Sequence, residues 1–273
     1  MPKRIIWAMV AGSLVACSSI QEDKTVGWSA DQLYQEAKSE MEASNYRTAA
    51  EHYTRLLARY PYGQKAQQAA LDLAYSHHKA GEADKARAEY EAFIRTYPRH
   101  TYIDYAYYML GVVAYEKDIT FYDKLNPTNL AQTDPEAMQA AFNAFAEVVN
   151  RFPDSEYAED ARYRMLFLKN LLGQHELEIA DYYLRRGAYL AAANRAKNIL
   201  QRYEQTPSTP YALALMSRAY RELGQTQLEQ DALRILKLNF ASQLNDPEIR
   251  RYLEGDIKSK KNLWEILRST PKV

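Results

Sequence analysis

Apolar residues along the chain follow one pattern that occurs four times. Each copy has two adjacent apolar residues, then an aromatic residue, and then a slot that holds proline in three of the copies. A small residue lies twelve positions before the slot, and Tyr, Phe or Ala lies eight positions before it. These spacings put the apolar residues on one face of a helix that ends before the slot. The four slots are Pro61, Pro98, Pro153 and Glu204, and the small residues are Ala49, Ala86, Ala141 and Ala192.

A second amphipathic segment precedes each of these helices, with a turn residue between the two. Gly81, Gly187 and Gly224 occupy the position five residues before the small residue or its equivalent, and Ser44 occupies it in the first copy. Glycine at this point suits a tight turn between two helices. The helix-turn-helix unit resembles the tetratricopeptide repeat, which is about 34 residues long. A fifth and weaker copy ends near Phe240.

The slots are unevenly spaced, which indicates two insertions. One lies at residues 117–133. The other lengthens the helix between Ser155 and Arg186 to about 30 residues, roughly 45 Å, with a break near Gly173 as the alternative. We therefore predict an all-α fold: a superhelical stack of about five tetratricopeptide-type repeats, with a long helix that links an N-terminal and a C-terminal group.

Helix start signals support this organisation. Ser29 and Gln32 have the spacing of a capping box, and Asp134, Thr209 and Asp246 each stand before a proline that suits the first helical position. We predict five segments along the chain. They are a signal peptide at 1–16, a tether at 17–28, N-terminal repeats 1–3 at 29–154, C-terminal repeats 4–5 at 155–241 and a basic tail at 242–273.

Residues 1–16 have the composition of a secretory signal peptide. Lys3 and Arg4 precede an apolar stretch that is too short to cross a bilayer core about 30 Å thick. Leu14, Val15 and Ala16 then precede Cys17, an order that resembles the lipobox of bacterial lipoproteins. The resemblance implies cleavage before Cys17, S-diacylglycerol and N-palmitoyl groups on it, and no other cofactor. Because Cys17 is the single cysteine, a free thiol after an ordinary signal peptide is the alternative.

The residue after the lipobox carries a sorting signal in such lipoproteins. Here that residue is Ser18 rather than aspartate, which implies the outer membrane and its periplasmic face. Several acyl chains on one cysteine are enough for stable anchoring, whereas one chain is not.

Charge and motifs exclude several classes of function. Lysine and arginine together number 35, as do aspartate and glutamate, and this balance argues against a nucleic-acid partner. The sequence has no glycine-rich phosphate loop and no nucleophile elbow. His175 begins what looks like a zinc-protease helix, but Ile179 stands where the second histidine is needed. We predict no catalytic residues and no metal site.

Tyrosine is abundant, with 23 in the chain, and several tyrosines fall on the first helices of the repeats. In tetratricopeptide arrays these helices line the concave groove, so the repeat register predicts a peptide groove. Aromatic rings with polar tips suit an extended, partly apolar peptide. The alternative is that these residues only pack the repeats. The predicted groove residues are Tyr34, Tyr75, His78, Tyr105, Tyr108 and Tyr115, with Met41 beside them.

A second candidate surface is rich in arginine. Arg185, Arg186, Arg195 and Arg202 surround the turn at Gly187 in the fourth repeat. Arginine pairs well with carboxylates at interfaces because its planar guanidinium presents five donors. The alternative is a solvated face on which arginine favours helix C-termini.

Beyond the repeat pattern, the mature chain resembles the BamD family, the tetratricopeptide lipoproteins of the β-barrel assembly machinery, also called competence lipoproteins. The segments that carry the resemblance are 59–63, 103–105, 152–155 and, most specifically, 182–195. The resemblance implies help in inserting β-barrel proteins into the outer membrane. It implies that the C-terminal repeats bind the POTRA region of the barrel-forming partner BamA, and that the N-terminal repeats receive unfolded outer-membrane protein substrates.

By position, the resemblance assigns the BamA contact to Arg195, with Arg186, Arg185 and Tyr189 beside it. Tyr189 stands where other members can carry tryptophan, and the tail after Ser242 is longer than in other members. Other accessory assembly lipoproteins are also implied partners, with no surface assigned to them. Two further functions stay open: a competence or peptidoglycan-associated role, and a periplasmic hydrolase that has only generic carboxylates in its favour.

Overall fold

The computed structural model describes residues 23–118 and 134–255, and all regular structure within these residues is helical. The predicted all-α class is confirmed. Within the described residues, eleven α-helices form five consecutive pairs and one shorter helix after them. They are α1 (Ala30–Glu42), α2 (Tyr46–Arg59), α3 (Gln64–Lys79), α4 (Ala83–Thr96), α5 (Ile103–Asp118), α6 (Pro135–Arg151), α7 (Ala158–Arg185), α8 (Tyr189–Arg202), α9 (Thr209–Glu222), α10 (Thr226–Asn239) and α11 (Pro247–Glu254).

Four of the pairs are joined by the same three-residue turn. Its middle residue is left-handed, with φ of 65° at Ser44, 77° at Gly81, 75° at Gly187 and 70° at Gly224. The next residue donates its N–H to the carbonyl five positions back, as Asn45 does to Glu40 at 2.8 Å. This geometry is the Schellman motif, and it reverses the chain so that the two helices pack side by side. The predicted turn positions are confirmed.

The second helix of every pair ends on an aromatic residue whose N–H still bonds to the carbonyl four residues back. The five residues have φ between −122° and −134°, outside the helical region, and they are Tyr60, Tyr97, Phe152, Tyr203 and Phe240. Proline forces this change in the first three. Glu204 and Ala241 follow the last two, so the aromatic end is kept without proline.

Consecutive helices pack against each other from α1 to α10, and α9 also contacts α7 and α11. The small residue of the second helix in each of the first four pairs is fully buried, which lets the neighbouring helix approach closely. Tyr53, Tyr90, Phe145 and Ala196, one turn further along, are fully buried as well. The helix face that the repeated spacing of apolar residues predicts is therefore the face that packs into the core.

The long helix α7 has 28 residues and runs without a break through Gly173. The alternative of a break there is wrong. Gly173 is buried, and a Cβ at this position would lie 3.1 Å from Thr206 Oγ1 and 3.3 Å from Tyr203 Cβ. The glycine thus lets the turn between α8 and α9 lie against α7. Neither α7 nor any other helix in residues 23–118 and 134–255 combines the length and apolar content needed to cross a membrane.

The helix start signals are confirmed at three of four places. Ser29 and Gln32 form the complete capping box, and the Asp134 and Asp246 side chains accept backbone N–H bonds at the starts of α6 and α11. Thr209 does not cap: α9 already includes it, Ser208 is the residue before the helix, and the Thr209 hydroxyl is buried without a partner among the described residues. The Thr209 prediction is wrong because the helix begins one residue early.

The first part of the predicted tail belongs to the packed body. Helix α11 lies against α9 and buries Ile249 and Tyr252. Arg218 and Arg221 of α9 donate to the carbonyls of Gly255 and Leu253, at 2.8 and 2.7 Å. The predicted signal peptide, Cys17, residues 119–133 of the insertion and the basic end of the tail lie outside the described residues.

Candidate protein-interaction surfaces

The six residues predicted for the peptide groove lie on the first helices of the first three repeats, and the side chains of all six are partly exposed. Tyr34 is on α1, Tyr75 and His78 are on α3, and the other three are on α5. We call them the aromatic strip. Met41 packs beside the N-terminal core of α1–α3.

Asp72 of α3 fixes the first residue of the aromatic strip. The hydroxyl of Tyr34 donates to Asp72 Oδ2 at 2.9 Å, and Gln68 Nε2 donates to Oδ1 at 2.9 Å. Burial raises the pKa of Asp72, although the hydrogen bonds from Gln68 and Tyr34 oppose the rise. Burial and the adjacent Asp72 carboxylate also raise the pKa of Tyr34. The Asp72 carboxyl group is therefore a partly buried acidic group next to the hydroxyl of Tyr34.

The α5 part of the strip is tied to the start of α7. The hydroxyl of Tyr108 donates to Asp160 Oδ2 at 2.7 Å, and its ring stacks on Tyr157 with centroids 5.0 Å apart. Tyr105 also contacts the Tyr157 ring, at 5.5 Å. Burial raises the pKa of Tyr105 to about 12, so its hydroxyl is neutral at physiological pH.

Arg164 of α7 lies close to two tyrosine rings of the aromatic strip. Its guanidinium lies 5.9 Å from the ring centroids of both Tyr108 and Tyr115, and it pairs with Asp160 one turn earlier. Burial would raise the pKa of Asp160, but hydrogen bonds from Arg164 and Tyr108 hold it below the ordinary value. The Tyr115 ring meets Phe167 edge-on, 6.1 Å between centroids.

Within the strip, His78 Nε2 lies 2.9 Å from a carboxylate oxygen of Glu116, and Tyr75 meets the ring of Tyr46 edge-on. Two hydroxyls of the strip, those of Tyr34 and Tyr108, donate to carboxylates of the protein itself. The sequence did not single out Asp72, Tyr157, Asp160 or Arg164. Only the spacing of Asp160 and Arg164, one helical turn apart, could have marked a pair.

The second surface lies at the turn between α7 and α8. Arg195 Nη1 is 3.2 Å from both carboxylate oxygens of Glu176 on α7. Arg185 Nε lies 2.8 Å from Asp181, and Arg186 donates to the Tyr182 hydroxyl at 3.0 Å. These arginines, together with Tyr189 at the first position of α8, form what we call the arginine patch.

Arg202 lies apart from the arginine patch. It ends α8, thirteen residues and about 20 Å beyond Tyr189. Its Nη2 donates to Gln139 of α6 at 3.3 Å, so it belongs to the contact between the two groups of repeats. The expected cluster of four arginines around Gly187 is therefore a cluster of three. Arg195 also borders an open depression with Tyr183, Asn194, Lys197 and Gln201.

Comparison with known proteins decides the family. Residues 28–235 match the model of the YfiO family, described as outer membrane lipoprotein. This chain belongs to the YfiO family. Curated relatives carry the name outer membrane protein assembly factor BamD. The one from Neisseria meningitidis serogroup A is 41% identical over 88% of this chain and 92% of its own length, and the one from Vibrio cholerae is 34% identical over 88% and 99%.

A further curated relative and a solved structure are also similar to this chain. A BamD from Xylella fastidiosa is 38% identical over 78% of this chain and 73% of its own length. Among solved structures, a tetratricopeptide repeat protein from Parabacteroides merdae covers 82% of the chain at 12% identity and a TM-score of 0.38. The YfiO match includes every residue of the aromatic strip and the arginine patch, whereas Cys17 precedes it and α11 follows it.

Proposed function

We propose that this protein is a non-enzymatic scaffold lipoprotein of the outer-membrane β-barrel assembly machinery, anchored on the periplasmic face by lipid on Cys17. The observation that carries the proposal is the similarity to BamD proteins, which are named as assembly factors, over nearly the whole of this chain and of theirs. A stack of helix pairs with two partly exposed side-chain clusters suits a scaffold, since such arrays present extended surfaces for binding.

The arginine patch is the proposed contact with the POTRA region of BamA. Arg195 is the central residue, because its Nη1 is held by Glu176 while no described residue accepts from its Nε or Nη2. Those two groups are free to donate to a partner carboxylate, and such charge-assisted bonds are stronger than neutral ones. Arg185, Arg186 and Tyr189 extend the contact along the turn.

The test is a pull-down from detergent-solubilised outer membranes with the intact lipoprotein as bait. Arg195→Gln should lose most of a BamA-like barrel protein that the unmodified bait recovers. Arg234→Gln is the matched control, because Arg234 is an exposed arginine on α10 with its own i,i+3 carboxylate. Equal recovery by both variants would remove Arg195 from the interface. Recovery of cell-wall fragments alone, confirmed with purified sacculi, would favour the peptidoglycan-associated role instead.

The aromatic strip is the proposed site for unfolded outer-membrane protein substrates. The strand that ends such a client alternates apolar and aromatic residues, and the ring faces of the strip offer contact area for them. Affinity is expected to be modest, because the client loses conformational entropy on binding.

Peptide binding tests this second contact separately. A synthetic peptide with the alternating sequence of a barrel's last strand should bind the protein more tightly than a scrambled peptide of the same composition. Tyr75→Ala should weaken that binding, whereas Tyr62→Ala, which removes an exposed tyrosine outside the strip, should not. Identical affinities for the two peptides would contradict sequence-pattern recognition by the strip.

A further inference from the structure

The N-terminal repeats have two different ends, and the chain enters from one of them. Tyr60, which ends α2, donates its hydroxyl to the carbonyl of Trp28 at 2.9 Å, just before α1 begins. Arg59 donates to the carbonyl of Thr25, and Lys65 at the start of α3 pairs with Asp31 of α1. The turn between α4 and α5 borders the same region. We call residues 23–28, 59–65 and 97–102 together the tether end.

Large apolar and aromatic side chains stand out from the tether end. The exposed fraction is 76% for Val26, 90% for Tyr62, 51% for Tyr102 and 38% for Tyr60. They come from three separate segments, so the exposure is not the property of one loop. Exposed tyrosine rings suit the boundary between water and lipid, where tyrosine and tryptophan are enriched in membrane proteins.

The acidic residues at this end are paired, whereas two of its cations are not. Asp23 pairs with Arg59 and Arg55, and Asp31 pairs with Lys65, so the acids are neutralised locally. Lys24 and Arg99 are exposed and have no ion-pair partner in residues 23–118 and 134–255. The tether end therefore presents aromatic rings and unpaired cations side by side, which is the combination that a surface of lipid headgroups favours.

The length of the tether limits where this end can be. Six peptide units separate Cys17 from Asp23, which is at most about 20 Å of extended chain. The opposite end of the first repeat, at Glu42, is about 20 Å further along α1. If Cys17 carries the lipid, the tether end is the part of the described body that is held nearest to the bilayer.

We propose that the tether end is a membrane-contacting face. Val26, Tyr62 and Tyr102 lie at the level of the phospholipid headgroups, and Lys24 and Arg99 meet their phosphates. This inference rests on the lipid anchor of the proposed function and goes beyond it. The anchor alone allows the body to rotate freely, whereas a contacting face fixes the N-terminal repeats with their helices end-on to the bilayer.

Site-specific labelling tests this face. Cys17 is the only cysteine in the sequence and is acylated in the lipoprotein, so an introduced cysteine is the single free thiol. Tyr62→Cys and Tyr102→Cys carry an environment-sensitive fluorophore at the tether end. Glu42→Cys is the matched control, an exposed position at the other end of the same repeat. Each lipoprotein is reconstituted into phosphatidylethanolamine–phosphatidylglycerol vesicles with and without spin-labelled lipid, and flotation is measured on the same samples.

The expected result is blue-shifted emission and quenching by the spin-labelled lipid at positions 62 and 102, with neither effect at 42. Equal signals at all three positions in floating vesicles would overturn the membrane-contacting face and leave the anchor intact. Protein that does not float with the vesicles would overturn the anchor, and the face with it.

Discussion

Arg195 pairs with Glu176 through a single guanidinium nitrogen: Nη1 lies 3.2 Å from both carboxylate oxygens of Glu176. Nearly half of the Arg195 side chain is exposed, whereas the Glu176 side chain is mostly covered. The pair therefore orients the guanidinium while leaving its other donors outward. This separates what the residue contributes to the fold from what it offers a partner.

Swapping the charges of Arg195 and Glu176 tests whether the structural and binding roles of Arg195 are separate. Arg195→Gln should lower the free energy of unfolding by about 1 kcal/mol, because the arginine is exposed but its partner Glu176 is mostly covered and loses a charged donor. Arg195→Glu should destabilise more, because it sets two carboxylates against each other. Adding Glu176→Arg should recover the melting temperature but not BamA binding, since the outward charge stays reversed. If the double variant recovers both the melting temperature and BamA binding, the role of the pair is structural. Urea unfolding measures the stability of each variant, and the pull-down measures its BamA binding.

Ser44 is the one residue with a Cβ in the left-handed slot of the four Schellman turns, with φ of 65°. A left-handed backbone costs a non-glycine residue roughly 1–2 kcal/mol. Ser44→Gly should therefore raise the free energy of unfolding by about 1 kcal/mol. The reverse change at the equivalent turn, Gly81→Ala, should lower it by a similar amount. Urea unfolding of the two variants checks both signs, and a loss of stability in Ser44→Gly would contradict the assignment.

Gly111 lets α6 approach α5. A Cβ at this position would lie 2.8 Å from Cε1 of Phe145, whose ring is fully buried. Gly111→Ala should destabilise the protein by about 1–3 kcal/mol, the usual cost of an overpacked core. Phe145→Leu in the same chain should partly relieve the clash. Unchanged thermal unfolding in Gly111→Ala would show that the helices separate without cost.

Asp72 predicts a pH dependence. Its pKa is raised by burial, so the folded state binds a proton more tightly than the unfolded chain does, and its contribution to stability falls as pH rises above the ordinary value of 3.8. Asp72→Asn removes this loss, because the amide carries no charge to desolvate. The free energy of unfolding of the variant, relative to the unmodified protein, should increase from about pH 4 to pH 7. A flat difference across that range would contradict the raised pKa.

Much of the fold could be predicted from local signals. The aromatic residue before each slot, the small residue twelve positions earlier and the turn residue at 44, 81, 187 and 224 are all short-range patterns, and each has a direct steric cause. Gly173 shows where prediction from local sequence fails. Glycine within a helical pattern suggests a break in the helix, but Gly173 instead makes room for a turn more than thirty residues later in the chain. No local rule distinguishes the two.

The candidate surfaces were less predictable for the same reason. The repeat register placed Tyr34 and Tyr108 on first helices, but not the inward direction of their hydroxyls, which depends on Asp72 and Asp160 38 and 52 residues away. Arg164 is one of many charged residues on a long helix, and only its position over two tyrosine rings distinguishes it. Such contacts follow from the packing of distant segments.

The most direct test of the central claim is depletion of this protein from cells, with folded β-barrel proteins in the outer membrane quantified by their heat-modifiable mobility. The proposed scaffold function predicts that folded barrels decline as the protein is lost, and that unfolded barrel precursors accumulate in the periplasm. Re-expression of the unmodified chain should reverse both effects. Folded barrels that stay at their normal level after complete depletion would contradict a role in barrel assembly.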